Sequence, residues 1–327
     1  MGMHGRRAVL KMGALALAVA AFGRRADAAP VVLTRDPRLA DVVEPDARLV
    51  ELYGEGRWCE GPCWVPALGG LVFSDVRRNR LQVLRDDGTV DALRDPSDNA
   101  NGNVLDAEGR LVTCEHRTRR VVRCEADGSL TVLADRFDDK ALNSPNDAVL
   151  APDGAIWFTD PVYGIRQPDE GLMAEPEQTA RRVYRIDPGG RLDAMIDTID
   201  QPNGIALSPD GQTLYVAESG AALNPEGPRE IRVFAIQADG RPDEGRVFAA
   251  LDSGVPDGLA VDSTGRLYAA CEDGVRIYDP DGTWLGRIAT PGPAANVAFG
   301  GAERRRLFIA SGTSIHAIDL KARGLAL

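Results

Sequence analysis

The sequence lacks the usual features of several protein classes. The formal net charge is −11 and no basic stripe runs along any segment, so binding to a nucleic-acid backbone is not expected. No Gly-x-Ser-x-Gly motif is present, which argues against covalent catalysis by a serine nucleophile. No two cysteines stand at Cys-x-x-Cys spacing, so a zinc site built from thiolates is not expected either.

Long helical patterns are also missing. Beyond residue 28, no segment repeats its apolar residues every 3.6 positions over the length of a helix, so helix content is predicted to be low. The 35 glycines and 21 prolines are instead spread along the chain, which is typical of many short strands joined by turns.

The first 28 residues are predicted to be a targeting segment. Arg6, Arg7 and Lys11 precede an apolar run from Met12 to Phe22, which is too short to cross a bilayer. Ala26-Asp27-Ala28 then supplies a small-x-small cleavage pattern. The paired arginines resemble a twin-arginine signal, so we expect a periplasmic or secreted protein that meets the twin-arginine machinery during export. After cleavage no membrane attachment is expected; an uncleaved anchor is the alternative.

The five cysteines allow two arrangements. An odd number in an oxidising compartment requires at least one free thiol. Cys114 and Cys124 could face each other across a hairpin and form a disulfide. Buried free thiols are the simpler expectation for all five.

One pattern recurs six times along the chain. Each copy begins with a polar residue, usually followed by glycine, and continues with a short apolar stretch, a turn and an apolar strand. The copies begin at Glu60-Gly61-Pro62, Asn101-Gly102-Asn103, Asn146-Asp147-Ala148, Asn203-Gly204-Ile205, Asp257-Gly258-Leu259 and Asn296-Val297-Ala298. Repeats of about 40–50 residues with several short strands each are typical of propeller blades. The predicted fold is therefore an all-β, six-bladed β-propeller.

Further strands are predicted within each copy and between copies. The strands that follow the six motifs are expected at Leu71–Ser74, Arg110–Cys114, Ala155–Thr159, Thr213–Ala217, Arg266–Ala270 and Arg306–Ala310. The next strands are expected at Arg80–Leu84, Arg119–Arg123, Arg182–Ile186, Glu230–Ile236 and Gly274–Tyr278.

The repeat also predicts how the chain is divided and closed. A strand near Arg48–Tyr53 is expected to pair with Ser314–Leu320, because joining the two ends of the chain removes exposed sheet edges. The predicted divisions are a signal segment at residues 1–28, a lead-in at 29–47 and the propeller at 48–327. Two longer segments, Gly164–Ala180 and Gly220–Arg229, are expected to form loops over one face.

The first residue of each copy is the candidate functional position. The innermost strand of every blade lines the central channel, so equivalent positions converge on one axis. The six residues are Glu60, Asn101, Asn146, Asn203, Asp257 and Asn296. Carboxylate and amide oxygens are ligands that Ca²⁺ prefers, and Mg²⁺, Mn²⁺ or Zn²⁺ can occupy such sites. A single Asn-Gly or Asp-Gly is usually a turn, but six copies in one register favour a central metal-binding channel.

These motifs resemble the gluconolactonase/senescence-marker-protein/luciferin-regenerating-enzyme family. The resemblance covers about residues 45–320, and the segments Leu142–Asp147 and Phe158–Gly164 are similar to the bacterial gluconolactonase signature. Further matches are Cys59-Glu60-Gly61-Pro62, Cys114-Glu115-His116, Gln201-Pro202-Asn203-Gly204 and Pro256-Asp257-Gly258.

The resemblance implies metal-dependent hydrolysis of sugar lactones. It implies one divalent cation, with Ca²⁺ expected first, held by Glu60, Asn146, Asn203 and Asp257. In animal relatives the equivalent of Asn146 is described as touching substrate as well as, or instead of, metal. Those relatives carry an arginine two residues earlier, where this sequence has Ser144, so different sugar contacts are expected.

Candidate roles can be assigned to the remaining residues. Asp257 is the candidate general base because it is the only aspartate among the six, although a carboxylate beside a cation is a weak base and orienting the water is the alternative. His116 could donate to substrate or transfer a proton, or it could be a structural residue at a strand end. The other candidate substrate contacts are Asn101, Tyr163 and Asn296.

Two other functions remain open at this stage. Related propellers hydrolyse other esters, aryl lactones or organophosphates on the same metal geometry. A propeller can also bind a ligand or a partner protein without catalysis, which predicts apolar or varied channel positions. A monomer is the default expectation.

Overall fold

The structure, a computed structural model, describes residues 30–325, so the predicted signal segment and its cleavage site lie outside the described residues. Six antiparallel sheets follow one another along this part of the chain, five with four strands and one with five. Their innermost strands contact one another in a closed ring. The predicted all-β, six-bladed β-propeller is confirmed.

Within each blade the strands run outward from the channel. The innermost strands of blades 1 to 6 are Cys59–Val65, Ala100–Leu105, Ala148–Leu150, Pro202–Leu207, Pro256–Val261 and Ala294–Gly300. The second strands are Gly70–Asp75, Leu111–Glu115, Ile156–Asp160, Thr213–Glu218, Leu267–Cys271 and Arg306–Ser311. The third strands are Arg80–Arg85, Arg120–Cys124, Arg182–Ile186, Glu230–Ala235, Gly274–Tyr278 and Ser314–Asp319.

The outermost strands are Val90–Arg94, Leu130–Ala134, Leu192–Ile196, Arg246–Ala250, Trp284–Ile288 and, in blade 6, Val50–Tyr53. The sequence pattern predicted the second and third strands to within one or two residues. It missed most outer strands because they carry few buried side chains; Val90–Arg94, for example, is mainly exposed. Such strands lack the apolar alternation that marks a half-buried sheet.

The remaining regular structure is short. One α-helical turn spans Tyr163–Arg166, and a small hairpin pairs Arg136–Phe137 with Lys140–Ala141. The 3-10 turns are Pro37–Asp41, Pro66–Leu68, Val76–Arg78 and Gly220–Ala222. Within residues 30–325, no helix has the length and apolarity needed to cross a membrane.

The N-terminal part of the chain completes two blades. Val50–Tyr53 pairs with Ser314–Asp319 in blade 6, which confirms the predicted closure of the ring. Val32–Thr34, which the sequence pattern did not predict, adds a fifth strand to blade 5 along Trp284–Ile288. This strand covers an outer edge that would otherwise be open to pairing with another chain.

The hydrophobic core lies between neighbouring blades. Phe158 and Tyr184 of blade 3 stack with a centroid separation of 5.3 Å and pack against Cys114 of blade 2. All five cysteines are free in the structure, so the possible disulfide between Cys114 and Cys124 is not formed. Free thiols are confirmed, and four of them are buried as expected, whereas Cys124 is only partly buried.

The recurring glycine is explained by the packing of the innermost strands. A Cβ atom added to Gly204 would overlap the backbone oxygen of Asp257 in the next blade, and one at Gly102 would lie 2.5 Å from the oxygen of Asn146. Real side chains do not tolerate such separations. The glycines are therefore required by the narrow inner circle of the ring.

Gly204→Ala is expected to destabilise the fold, because the new methyl group must push the backbone of blade 5 outward. The expected loss is about 1–3 kcal/mol, the usual cost of overpacking. Gly292→Ala is the matched control, since its nearest heavy atom is a hydroxyl oxygen at 3.7 Å. Urea unfolding measures both; equal stability of the two variants would contradict the packing argument.

Candidate active site

One cavity at the mouth of the channel brings most of the predicted site residues together. It encloses about 350 Å³ and is lined by Glu60, Asn101, Asn146, Asn203, Asp257 and Tyr163. Tyr163 is buried, and its hydroxyl lies 3.5 Å from the backbone oxygen of Ser219. Five of the six predicted channel residues thus converge from blades 1 to 5.

The backbone aims these side chains through a repeated irregularity. In blades 1, 2, 4 and 5 the pairing of the innermost strand with its neighbour shifts by one residue just after the polar position, as between Glu60 and Cys63. Such a β-bulge bends a strand and re-aims its side chains. Hydroxyl groups then tie adjacent blades together: Ser74 Oγ donates to the oxygen of Asn101, and Thr159 Oγ1 donates to that of Asn203, both at 2.7 Å.

Buried carboxylates fix the segments that lead into the innermost strands. Asp75, at the end of the second strand of blade 1, accepts hydrogen bonds from the backbone of Arg57 and Trp58 at 3.1 and 3.2 Å. Glu218, at the same place in blade 4, accepts from the backbone of Gln201 at 3.0 Å. The sequence analysis missed these carboxylates, although an acidic residue ends the second strand in each of the first four blades.

Blade 6 departs from the predicted register by one residue. Ala294 pairs with Ser311, and Val297 pairs with Ile309, so the position equivalent to Asn203 is occupied by Ala295. Asn296 stands where the other blades carry glycine. The prediction that all six first positions hold oxygen donors is therefore wrong for this blade.

Asn296 instead lies deeper in the channel. Its Nδ2 is 3.4 Å from Oδ2 of Asp147, which occupies the glycine position of the opposite blade 3. Both residues line a second cavity of about 530 Å³ on the far side of the ring. Burial raises the pKa of Asp147 to about 6, partly offset by hydrogen bonds from Ala148 and Asn296. The pair spans the axis between the two cavities.

The mouth cavity brings several carboxyl groups close together. Glu60 accepts hydrogen bonds from the Trp58 indole and from the Gly61 backbone, both at 3.3 Å. Burial raises the pKa of Glu60 well above its usual range, and the charges of Asp257 and Asp147 raise it further. The pKa of Asp257 is raised in the same way, by burial and then by Asp147, while a hydrogen bond with Asn203 partly offsets this.

These residues suit a hard divalent cation. Among residues 30–325, no group of three or more His, Cys, Asp and Glu side chains could hold a metal ion. The candidate set is instead two carboxylates, Glu60 and Asp257, with the amide oxygens of Asn146 and Asn203. Calcium takes ligands of both kinds, and its charge would balance the buried carboxylates.

His116 lies behind the cavity rather than on its wall. The side chain is buried, and its Nδ1 lies 3.1 Å from the backbone oxygen of Glu170, which can only accept a hydrogen bond. Nδ1 therefore carries the proton. Nε2 is left to accept from the Nδ2 groups of Asn101 and Asn146, at 3.2 and 3.5 Å. Burial lowers the pKa of His116 to about 4, so the ring is neutral.

This contact determines the orientation of two amides. Because Asn101 and Asn146 direct their nitrogens to His116, their oxygens are free for a ligand in the cavity. The structure thus places His116 as a positioning residue.

Several further lining residues were not predicted from the sequence. Those with large polar or aromatic side chains include Trp58, Arg77, Gln167 and Glu170. Gln167 and Glu170 belong to the segment Gly164–Ala180, and Ala222 of the second long segment also reaches the cavity. Both segments therefore lie at this mouth, in agreement with the prediction of loops over one face.

Fold and site together define a six-bladed propeller whose channel mouth gathers buried carboxylate and amide oxygens, an arrangement suited to metal-assisted hydrolysis. The family model described as SMP-30/Gluconolactonase/LRE-like region matches residues 58–313, and the chain belongs to this family. The resemblance inferred from the motifs is thereby confirmed.

Three relatives show how close the similarity is. A gluconolactonase of Zymomonas mobilis is 30% identical over 312 residues, covering 88% of this chain and 85% of that protein. A pentonolactonase of Haloferax volcanii is 29% identical, and the match covers 76% of this chain and 80% of that protein. The solved structure of a gluconolactonase from Xanthomonas campestris is 45% identical, with a TM-score of 0.83 and coverage of 89% and 94%. The predicted enzyme class, a lactonase, is confirmed.

Proposed function

We propose that this enzyme hydrolyses sugar lactones to aldonic acids with one bound divalent cation, Ca²⁺ first among the candidates. The observation that carries the proposal is the convergence of Glu60, Asn146, Asn203 and Asp257 in one cavity, where the only basic residue of the described lining, Arg77, is paired with Glu170. The names of the Zymomonas and Haloferax relatives support the substrate class.

The chain's own groups have distinct tasks in the reaction. A bound cation would polarise the lactone carbonyl and stabilise the negative charge that develops on its oxygen. Asp257 is the proposed general base, which takes a proton from the attacking water as the water oxygen bonds to the carbonyl carbon. The ring C–O bond then breaks, and the ring oxygen leaves as a hydroxyl group with the proton that Asp257 returns. If the carboxylate does not take the proton, orienting the water is its remaining role.

Removal and return of metal tests the site and the reaction together. We expect chelated protein to lose hydrolysis of glucono-1,5-lactone above the spontaneous rate and to regain it with Ca²⁺, or with Mg²⁺, Mn²⁺ or Zn²⁺. Glu60→Gln and Asp257→Asn should lose at least about 100-fold in kcat/KM, a loss of about 2.7 kcal/mol of transition-state stabilisation. Glu226→Gln, at an exposed loop position, is the control. Acid release measured by a pH indicator gives the rates.

The outcomes separate the alternatives. Near-normal turnover of metal-loaded Asp257→Asn would contradict the base assignment. Metal binding without turnover of sugar lactones would favour an ester or organophosphate hydrolase, and absence of metal binding would favour a binding propeller.

Stability supplies a second readout for the same variants. A carboxyl whose pKa is raised in the folded state stabilises the fold fully only below its unfolded pKa, and this contribution is lost as pH rises toward the folded pKa. In chelator, the Tm of the unmodified protein should therefore fall as the pH rises above the ordinary pKa range of a carboxyl group. The Tm of the Glu60→Gln and Asp257→Asn variants should fall less over the same pH range, because each substitution removes one of the repelling charges.

Replacement of His116 should weaken metal binding, although His116 itself is not a candidate metal ligand. His116→Phe fills the same space but leaves the Asn101 and Asn146 amides without their acceptor, so an affinity loss of about 10–100-fold for Ca²⁺ is expected. His116→Gln retains an acceptor and should recover part of the affinity. Calorimetric titration with Ca²⁺ measures both variants; equal affinities for the two would contradict the positioning role.

Export through the twin-arginine pathway and a monomeric state complete the proposal. Arg6, Arg7 and the cleavage pattern at Ala26-Asp27-Ala28 support export. Arg6→Lys combined with Arg7→Lys should retain the full chain in the cytoplasm, which fractionation of the expressing cells would measure. Secretion of the double variant at an unchanged level would contradict the route.

A further inference from the structure

An ion pair crosses the channel mouth above the candidate site. Arg77 lies in the 3-10 turn Val76–Arg78 after the second strand of blade 1, and Glu170 lies in the long segment of blade 3, so the pair joins two blades that are not adjacent. Nη2 and Nε of Arg77 lie 2.9 and 3.3 Å from Oε1 of Glu170. Beneath the guanidinium, the Trp58 ring centroid lies at 4.8 Å. Both charged side chains line the cavity.

Glu170 is held at two points. Its carboxylate binds Arg77, and its backbone oxygen accepts the hydrogen bond from His116. Its side chain is only 8% exposed, whereas that of Arg77 is 36% exposed. The pair is therefore anchored at Glu170, while the Arg77 side chain remains partly exposed beside the cavity.

Hydrogen-bonding capacity remains on both partners. A guanidinium has five N–H donors, of which the Nε and Nη2 groups engage Glu170. A carboxylate has about four acceptor sites, so Glu170 also retains acceptors, including Oε2. Planar groups with adjacent donors and acceptors match the vicinal hydroxyl groups of a sugar.

The remaining charges of the cavity are acidic. Of the described lining residues, Arg77 is the only basic one, and Glu170 neutralises it. A divalent cation would balance Glu60 and Asp257. Glu272 on the cavity wall and Asp147 below then leave the mouth negative, which opposes the entry of an anion.

We propose that the Arg77–Glu170 pair binds the hydroxyl groups of the substrate and, because Glu170 neutralises Arg77, restricts the enzyme to uncharged polyhydroxy lactones. The inference rests on the proposed lactonase function and deepens it by naming the substrate class. Neither residue belongs to the candidate metal ligands, so the pair is placed to act on substrate choice and affinity.

Three lactones with the same six-membered ring test the inference on the Ca²⁺-loaded protein. Glucono-1,5-lactone carries the hydroxyl groups, δ-valerolactone lacks them, and the 6-phosphate of glucono-1,5-lactone adds a negative charge. Initial rates above spontaneous hydrolysis give kcat and KM for each. Two variants are compared: Glu170→Gln, which keeps the shape and removes the charge, and Arg77→Met, which keeps packing on Trp58 and removes the donors.

Each variant has its own expected signature. Arg77→Met should raise KM for glucono-1,5-lactone about tenfold, equivalent to about 1.4 kcal/mol, with less than about twofold change for δ-valerolactone. Glu170→Gln leaves the charge of Arg77 unopposed, so kcat/KM for the phosphorylated lactone should rise about tenfold relative to the neutral sugar lactone. A general loss of structure around the mouth cavity would not produce this gain in kcat/KM for the phosphorylated lactone.

The results distinguish the inference about substrate selectivity from the lactonase function on which it rests. Absence of metal-dependent turnover of all three lactones would overturn the lactonase proposal. Turnover of glucono-1,5-lactone with unchanged selectivity in both variants, or equal losses on all three substrates, would overturn the selectivity alone. Unfolding temperature and Ca²⁺ affinity of each variant verify that the fold and the metal site are intact. Where δ-valerolactone is not hydrolysed, the ratio of phosphorylated to neutral sugar lactone decides.

Discussion

Six innermost strands meet around one axis so closely that Gly61, Gly102, Gly204 and Gly258 have no space for a side chain toward the next blade. This crowding is what makes the site possible. Because the glycine positions fill the inner circle, the residue before each one is turned by a bulge into the open mouth. Side chains separated by up to about 200 positions in sequence thereby share one cavity.

The same geometry concentrates charge that the fold must tolerate. Glu60 is buried and Asp257 is partly buried among other carboxylates, and the pKa of each is raised by desolvation and by its neighbours. Elsewhere in the ring, buried carboxylates such as Asp75 and Glu218 are satisfied by backbone N–H groups. The contrast separates carboxylates that hold the fold from those that are left available for a ligand.

Much of this organisation is visible in the sequence because it repeats. Glu60, Asn203 and Asp257 each precede glycine and an apolar strand, and that spacing alone predicted their convergence. Asn296 looked equivalent, but an apolar residue follows it directly; the missing glycine was the signal that its register differs by one. Arg77 and Glu170 lie in segments outside the repeat, where no period indicates which side chain turns inward. Their meeting depends on tertiary packing between blades 1 and 3.

The hydrogen bond between Asp147 and Asn296 affects how substrate and product can reach and leave the candidate site. Both residues line the far cavity and neither lines the mouth cavity, so this hydrogen bond narrows the channel between the two. The mouth beside Arg77 is then the more open side of the candidate site. In the proposed reaction an uncharged ring enters and an aldonate anion departs, and the acidic mouth repels only the second. The negative charge at the opening would thus favour release of the anionic product and oppose its return.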